Sequence, residues 1–334
     1  MMASVAPPPS APITDPDHIP VLLSEVIDGL APKDGGLYVD GTFGAGGYTS
    51  ALLKAADCTV WAIDRDPETL DRGKSIADAY PGRLNLLHGR FGNLAELLIE
   101  NGVTAVDGIA LDLGISSMQI DDRSRGFSFL RDGPLDMRME KSGMSAADAV
   151  NSLPESELAD IIYKYGQERF SRRVAKAIVN ARKERPFSRT IHLADAIRAE
   201  VRRSQDGIDP ATRTFQALRI YVNDELGELE RGLAGAERVL GENGRLAVVS
   251  FHSLEDRIVK TFMRDRSGRG PNPSRHQPAP DQGRVTTSFS VVNIRAITPS
   301  TREVRDNPRS RSARLRIAER TGVPALSTVD GGAA

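Results

Sequence analysis

The sequence predicts an α/β fold built on a mostly parallel sheet and interrupted by a helical insertion. Three observations carry that expectation. Strand-like and helix-like runs alternate through the first third of the chain, the strand-like runs are apolar almost without a break, and a block of amphipathic helices follows before the alternation resumes. At 334 residues the chain exceeds a typical single domain, which fits one domain carrying an insertion.

Residues 1–17, rich in proline and lacking a basic start or an apolar centre, read as a disordered tail rather than an export signal. "HIPVLLSEVIDGL" has apolar residues at helical spacing and stops at Gly29 before the turn "APKDGG". Strand "LYVDG", a helix from Gly47 to about Ala56, strand "CTVWAID", a helix from Pro67 to about Ala79, strand "LNLLH", helix "LAELLIENG" and strand "VDGIALDLG" come next. Strands this continuously apolar are buried on both faces, as parallel sheets are. The rhythm breaks at "ISSMQIDDRSRGFSFLRDGPLDMRM" and continues as helices, "SAADAVNSL", "ESELADIIYKYG", "RRVAKAIVNARK" and "IHLADAIRAEVRRS". An inserted helical domain is therefore expected over 120–213, between α/β segments 18–119 and 214–320. The second segment reads as one long helix, "TRTFQALRIYVNDELGELERGLAGAERVL", then strand "GRLAVVSF", helix "SLEDRIVKTFMRD", the mobile loop "GRGPNPSRHQPAPDQG", and the β-rich pieces "TTSFSVVNI" and "SARLRIAER". Residues 321–334 read as a second tail.

Composition narrows the function. Hydrophobic residues at 40% and charged residues at 27% are ordinary globular values, and no run approaches the roughly 20 apolar residues of a membrane helix. The lone Cys58 forms neither an internal disulfide nor a cysteine metal cluster, and a reducing cytoplasm is expected. The net charge of −1 hides an asymmetry. From Glu168 to Arg203 eleven basic residues stand against four acids, and from Arg264 to Arg320 thirteen against five. These segments carry +7 and +8, the rest about −16, a distribution that suits a polyanionic partner.

The stretch "YVDGTFGAGGYTSALL" places a bare turn between a strand and a helix, where backbone N–H groups meet a ligand. It lacks the Lys of a phosphate loop, and counting from Gly44 gives Gly44, Gly46 and Thr49, an incomplete dinucleotide fingerprint. Asp64, twenty residues after Gly44, is placed as a ribose-hydroxyl acceptor, which serves NAD and S-adenosylmethionine equally. Arg90 and Phe91 end the third strand where an adenine would lie, with Phe91 as a stacking candidate. Asp112 ends the fourth, at the switch point of the sheet, where an acid suits the sulfonium and ammonium of a methyl donor better than hydride transfer. S-adenosylmethionine is the expected cofactor, with Gly46 and Gly47 bare because its methionine end passes close to their backbone.

Eight ordered blocks, "HIPVLLSEV", "DGTFGAGG", "AIDRDP", "LDLGISSMQIDDRSRGFSF", "GPLDMRM", "DPATRTFQALRI", "SFHSLEDRIVK" and "RSRSARLRIAER", together resemble the bacterial ribosomal RNA small subunit methyltransferase H family from about His18 to Arg320. The resemblance implies a Rossmann-like class I methyltransferase with a seven-stranded sheet and an all-helical substrate domain. It implies transfer of a methyl group from S-adenosylmethionine to N4 of a cytidine in the decoding centre of 16S ribosomal RNA, with the small ribosomal subunit as partner. It implies cofactor contacts at Gly46, Gly47, Tyr48, Asp64, Phe91, Asp112 and Gln119. Many relatives carry His at the position of Tyr48 and Pro at that of Met118; a backbone contact at Tyr48 survives such a change, and the sequence leaves open whether its side chain touches the cofactor.

Cytosine N4 is a poor nucleophile, so the enzyme must orient it and accept its proton. Asp112 with nearby backbone carbonyls is the catalytic candidate, with Ser116 and Ser117 as helpers or plain turn hydroxyls. "FHSLEDR" offers His252, Glu255 and Asp256, but it reads better as a helix start capped by Ser253 with Asp256 three residues on. His18, His88, His192 and His276 lack ligand spacing, so no metal is expected. Arg169, Arg172, Arg173 and Lys176, with "PRSRSARLR", are the RNA-binding candidates. Neither DNA nor membrane is expected as a partner, and a homodimer is compatible with the sequence. The competing readings are a non-catalytic ribosome-assembly factor, a DNA amino-methyltransferase, disfavoured by "DLGIS", and a nicotinamide dehydrogenase.

Overall fold

The computed structural model describes residues 20–201, 207–269 and 287–325. The N-terminal tail, the loop expected to be mobile from 270 on, His18 and His276 lie outside the described residues. The chain divides into two units, one of residues up to Leu113 together with Leu229 onward, the other Gly114–Glu228.

The first unit opens with helix α1 (Leu23–Leu30) and alternates β1 (Leu37–Asp40), α2 (Gly47–Ala55), β2 (Thr59–Asp64), α3 (Pro67–Ala79), β3 (Leu84–His88), α4 (Leu94–Glu100) and β4 (Val106–Asp112). The second unit holds α5 (Ser117–Asp121), α6 (Ala146–Ser152), α7 (Glu155–Gly166), α8 (Ser171–Glu184), α9 (Thr190–Glu200) and α10 (Ala211–Asn223). The chain then runs through α11 (Glu225–Val239), β5 (Leu240–Ser250), α12 (Ser253–Arg266), β6 (Phe289–Val291), α13 (Thr301–Asp306) and β7 (Arg314–Arg320).

The strands form one seven-stranded sheet in the order β3-β2-β1-β4-β5-β7-β6. β1 to β5 pair in parallel, and β7 is antiparallel to both β5 and β6. The strand sequences explain why both faces are covered. Val39, Ile63, Ile109, Leu111, Leu246 and Val248 pack into one core with α4, α11 and α12, while Tyr38, Val60, Ala62, Ala110, Ala247 and Val249 pack into the other with α1 and α2. Alternate residues thus enter opposite cores, and the strands read as continuous apolar runs. Arg320 locks the far edge from inside: it is buried, with Nε donating to the Glu237 carbonyl and Nη1 to those of Ser288, Thr321 and Val323. The chain just past β7, expected as free tail from 321, is therefore pinned at its start. No helix among the described residues is long and apolar enough to cross a membrane.

The second unit is helical, without strands among its described residues. Its core joins Phe127, Leu135 and Met137 from the long loop to Leu158, Ile162, Val174, Ile178, Leu193 and Ile197 from the helices. Its bounds differ from the expected 120–213 at both ends. The chain leaves the sheet one residue after Leu113, through Gly114 at φ 97°. At the far end α10 buries Phe215 and Leu218 in the helical core, so it belongs to the insertion. The expected single helix over 212–240 is two, because Asp224 adopts φ 50° and ends α10. Asn223 fixes the long loop to that helix. Its Oδ1 accepts the Met139 N–H at 2.8 Å, and its Nδ2 donates to the Met137 carbonyl at 2.7 Å and the Arg219 carbonyl at 2.9 Å.

Replacing Asn223 with Ala would strand the Met139 N–H and the Met137 carbonyl inside the unit, each unmade partnership costing about 1–3 kcal/mol. The expected outcome of urea denaturation is a loss of about 2–4 kcal/mol for Asn223→Ala, against less than about 0.5 kcal/mol for Asn180→Ala on the exposed face of α8. Equal effects of the two substitutions would show that the carboxamide does not hold the loop.

Candidate functional site

Three strands, β1, β2 and β4, end on an aspartate, and the glycine loop is folded by those aspartates. At the end of β2, Asp64 Oδ2 accepts the Gly44 N–H at 2.9 Å and Oδ1 accepts the Asp66 N–H at 2.8 Å. The acid and glycine singled out by their spacing in the sequence are thus directly bonded. Asp40, fully buried at the end of β1, accepts the Thr49 N–H at 3.2 Å and hydroxyl at 2.8 Å, and the Thr42 N–H at 3.3 Å. It thereby holds the first turn of α2. Thr42 in turn accepts the Asp112 N–H on Oγ1 at 2.7 Å, tying the loop to the end of β4.

The carboxyl group of Asp112 has no such engagement. Its Oδ1 is buried and has no hydrogen-bond partner among the described residues. Burial first, then the negative charges of Asp40 and Glu255, hold its pKa well above the usual carboxylate range. Burial pushes Asp40 up to about 6, against the pull of Thr49 and Thr42. Asp64 is raised as well, by burial opposed by the N–H groups of Asp66 and Gly44. A buried acceptor without a donor, among acids already raised by one another, is complementary to a cationic ligand. The residues present therefore fit a methyl donor with a sulfonium and an ammonium group.

The glycines differ in why they are bare. A Cβ on Gly47 would lie 2.2 Å from Pro20 Cγ, and one on Gly46, at φ 74°, would meet Ile76 at 2.6 Å and the Phe43 ring at 2.9 Å. These two were expected to be bare for the ligand; in the structure the chain's own side chains occupy that space. Gly44 is the open one, with only the Thr42 carbonyl near its Cβ position. What Gly47 and Tyr48 offer is backbone: they stand at the first two positions of α2, and their N–H groups have no partner among the described residues. The Tyr48 side chain is buried and its hydroxyl donates to the Val21 carbonyl, so the phenol belongs to the core. Burial, then the nearby negative charges led by Asp112 and Asp40, keep that phenol protonated.

Phe91 opens a 3-10 turn (Phe91–Asn93) after β3 and packs, half-buried, on α11, where a Cβ on Gly232 would come within 2.6 Å of its ring. Gly232 escaped the sequence reading. The available signal was a glycine inside an amphipathic helix, which costs about 1 kcal/mol relative to Ala and so implies close packing. The roles of Asp40, Thr42, Thr49 and Pro20 were likewise missed. Arg90 directly precedes Phe91 in an extended conformation.

His252, not Ser253, caps α12. Its Nδ1 accepts the Glu255 N–H at 3.3 Å, and Glu255 Oε2 accepts the N–H groups of Phe251 and His252 at 2.8 and 3.2 Å. The capping box expected at Ser253 and Asp256 lies one residue earlier because the helix starts at Ser253 itself. Asp256 instead takes Arg316 at 2.7 Å and Arg314 at 3.2 Å. Arg316 of the arginine-rich "PRSRSARLR" is therefore committed internally, while Arg309, Arg311 and Arg314 are exposed.

In the helical unit, Gln119 is buried and completes a capping box with Ser116: its Oε1 accepts the Ser116 N–H, and Ser116 Oγ accepts the Gln119 N–H, both at 3.2 Å. Ser116 is thus a cap, and Ser117 is the first residue of α5. Arg169, Arg172, Arg173 and Lys176 are all exposed, the last three on the first two turns of α8 and Arg169 in the turn before it. Arg173 faces Glu200 at 3.4 Å, and Arg172 and Lys176 have no acidic partner among the described residues. His88 Nε2 lies 3.2 Å from the Arg65 carbonyl, and His192 packs on Phe187. Cys58 is buried and donates to the Leu52 carbonyl.

Comparison with known proteins places these residues in a family. Residues 15–321 match the model of the MraW methylase family. The ribosomal RNA small subunit methyltransferase H of Paramagnetospirillum magneticum is 61% identical over 312 residues, covering 93% of this chain and 98% of the relative. Its counterpart in Rhodospirillum centenum is 61% identical over 308 residues, 92% of this chain and 93% of the relative. That of Rhodospirillum rubrum is 58% identical over 318 residues, 94% and 98%.

Asp40 makes the site's electrostatics measurable. Its pKa of about 6 in the fold exceeds the ordinary 3.8, so between those values the folded state binds more protons than the unfolded, and stability falls as pH rises. A shift of this size corresponds to about 3 kcal/mol, present below about pH 4 and lost by about pH 6 to 7. Asp40→Asn keeps an acceptor for Thr49 and removes the ionisation. Urea denaturation across that range should show the variant lacking this part of the wild-type decline, and identical pH profiles would contradict the buried charge.

Proposed function

The chain belongs to the MraW methylase family, and from that membership we propose that it transfers a methyl group from S-adenosylmethionine to N4 of a cytidine in the decoding centre of 16S ribosomal RNA. The coarser statement, an S-adenosylmethionine-dependent methyltransferase of small-subunit ribosomal RNA, follows from the family and from relatives that share more than half of the sequence over nearly their whole length. The observation that carries the reading at the site is the buried, unpartnered Oδ1 of Asp112.

In this reading the cofactor lies along the carboxyl ends of β1, β2 and β4. Asp64 keeps lone pairs for the ribose hydroxyls beyond those it gives to Gly44 and Asp66. The free N–H groups of Gly47 and Tyr48 at the start of α2 suit a carboxylate, and Phe91 is the stacking candidate for the adenine. When bound, S-adenosylmethionine supplies an electrophilic methyl group on a cationic sulfur. Asp112 has two tasks: its charge complements the cation, and the same carboxylate is the proton acceptor. As the N4 lone pair took the methyl carbon, the carbon–sulfur bond would break and leave a neutral thioether, and the Asp112 carboxylate would accept the proton that the cationic amine sheds. The ratio kcat/KM should rise with pH as Asp112 of the free enzyme ionises, through a range above that of an exposed carboxylate. In the helical unit, Arg172 and Lys176, which have no acidic partner among the described residues, supply charge for RNA phosphates together with Arg169 and Arg173.

The direct test is incubation with methyl-labelled S-adenosylmethionine and small ribosomal subunits from cells lacking this protein, followed by mapping of the label. Label on N4 of a single decoding-centre cytidine is expected, whereas label on adenine N6, or none on RNA, would overturn the reading. Asp112→Asn should lower kcat by about 100-fold or more, the usual span for a lost general base, and weaken S-adenosylmethionine binding. Full turnover with unchanged cofactor affinity in that variant would remove Asp112 from the mechanism.

A further inference from the structure

Resting on the reading that ribosomal RNA is the substrate, we propose that Phe170 and the guanidinium planes beside it form a base-stacking site for single-stranded RNA. Phe170 stands at the N-cap of α8, and 40% of it is exposed. The Arg169 guanidinium lies over its ring at 4.6 Å from the centroid, and that of Arg173 at 5.8 Å.

The turn that presents Phe170 is built rather than loose. Gln167 at φ 53° ends α7, and the buried carboxylate of Glu168 accepts the Phe170 N–H at 2.8 Å and lies 3.4 Å from Arg213. The Ser171 N–H donates to the Glu168 carbonyl at 3.2 Å, and the Phe170 carbonyl accepts the Arg173 N–H at 2.9 Å. Yet the residues placed on this rigid turn break two local rules of helix stability. An N-cap favours Ser, Thr, Asp or Asn, whose side chain satisfies an orphan N–H, and Phe170 makes no such bond. The first turn of a helix favours acids, but here it has none, and Arg172 and Arg173 stand against the positive end of the dipole. Sequences depart from local preference in this way where a residue serves a ligand.

The chemistry selects that ligand. An exposed aromatic face among cations is disfavoured for a protein partner with an apolar patch, since burying Arg172 and Lys176, which have no acidic partner among the described residues, would cost their hydration. Single-stranded RNA satisfies both features, with bases stacking on the ring or on the outer guanidinium plane and phosphates meeting the cations. Arg172, Lys176 and Lys183 recur at helical spacing on α8, with Arg169 in the turn before it, so a strand anchored at Phe170 would meet charge along α8.

The test uses the full chain and a fluorescein-labelled, uridine-rich single-stranded RNA, with a duplex RNA of equal length as control, read by anisotropy over a range of salt. Phe170→Leu keeps bulk and charge and loses the π face. It should weaken single-strand binding by about 5- to 100-fold, leave the salt slope unchanged and barely affect duplex binding. Arg172→Gln combined with Lys176→Gln should instead flatten the slope by about 1.4, at about 0.7 per phosphate contact on a single strand. Phe170→Trp should restore affinity, with its indole emission quenched on adding RNA. Unchanged single-strand affinity in Phe170→Leu, equal losses on both RNAs, or altered self-association by sedimentation with RNA affinity intact would each overturn the proposal. The wild-type methyl-mapping assay is scored separately, so failure of the rRNA reading and failure of the stacking site are distinguishable.

Discussion

The first unit depends on how three aspartates, Asp40 buried and Asp64 and Asp112 half-buried, are satisfied at the carboxyl ends of neighbouring strands. Asp64 and Asp40 spend their oxygens on the glycine loop and on the first turn of α2, and those bonds fix the loop. Asp112 gives only its backbone N–H, to Thr42, and leaves a carboxylate oxygen buried and alone. Burial first, and then neighbouring negative charge, raises the pKa of Asp40 and Asp112, which is costly in the free protein and is relieved by a bound cation. The same arrangement therefore shapes the loop and sets which ligand it favours, so cofactor affinity and stability of the empty fold are linked through pH.

This logic also explains what was legible in the sequence. The twenty-residue interval from Gly44 to Asp64 was readable because it reflects one strand-turn-helix-strand unit, and the structure closes it with a hydrogen bond. Asp112 was readable because it ends an apolar run that periodicity alone marks as a strand. The reason for the bare glycines was not, since it lies in Pro20 and Ile76, side chains distant in sequence that arrive by packing. The same limit hid Gly232 beneath Phe91 and the long-range partners of Tyr48 and Asp256.

Boundaries failed for a related reason. Helical periodicity runs on through α10 and α11, and only the left-handed Asp224 between them separates a helix of the insertion from one that covers the sheet. Aspartate tolerates that conformation without glycine's signature, so nothing local announces the break. The cap of α12 slipped by one residue because Ser253 is the more orthodox cap, yet His252 Nδ1 reaches the Glu255 N–H and serves as well.

A protein that binds both a sulfonium and a polyanion must keep its opposite charges from cancelling each other. Here the arginines divide by environment. Arg320, Arg316 and Arg266 are committed internally, to backbone carbonyls, Asp256 and Glu237 respectively. Arg172 and Lys176 remain exposed and unpaired among the described residues, and Arg172 stands in the first turn of α8, where the dipole disfavours it. Exposed charges act within a Debye length of about 8–10 Å, so their field is felt by a strand lying on that helix rather than by the molecule at large. The near-zero net charge of the whole chain hides these two local fields of opposite sign. The acidic field is buried where a cation must be desolvated, and the basic one is exposed where phosphates exchange their counterions.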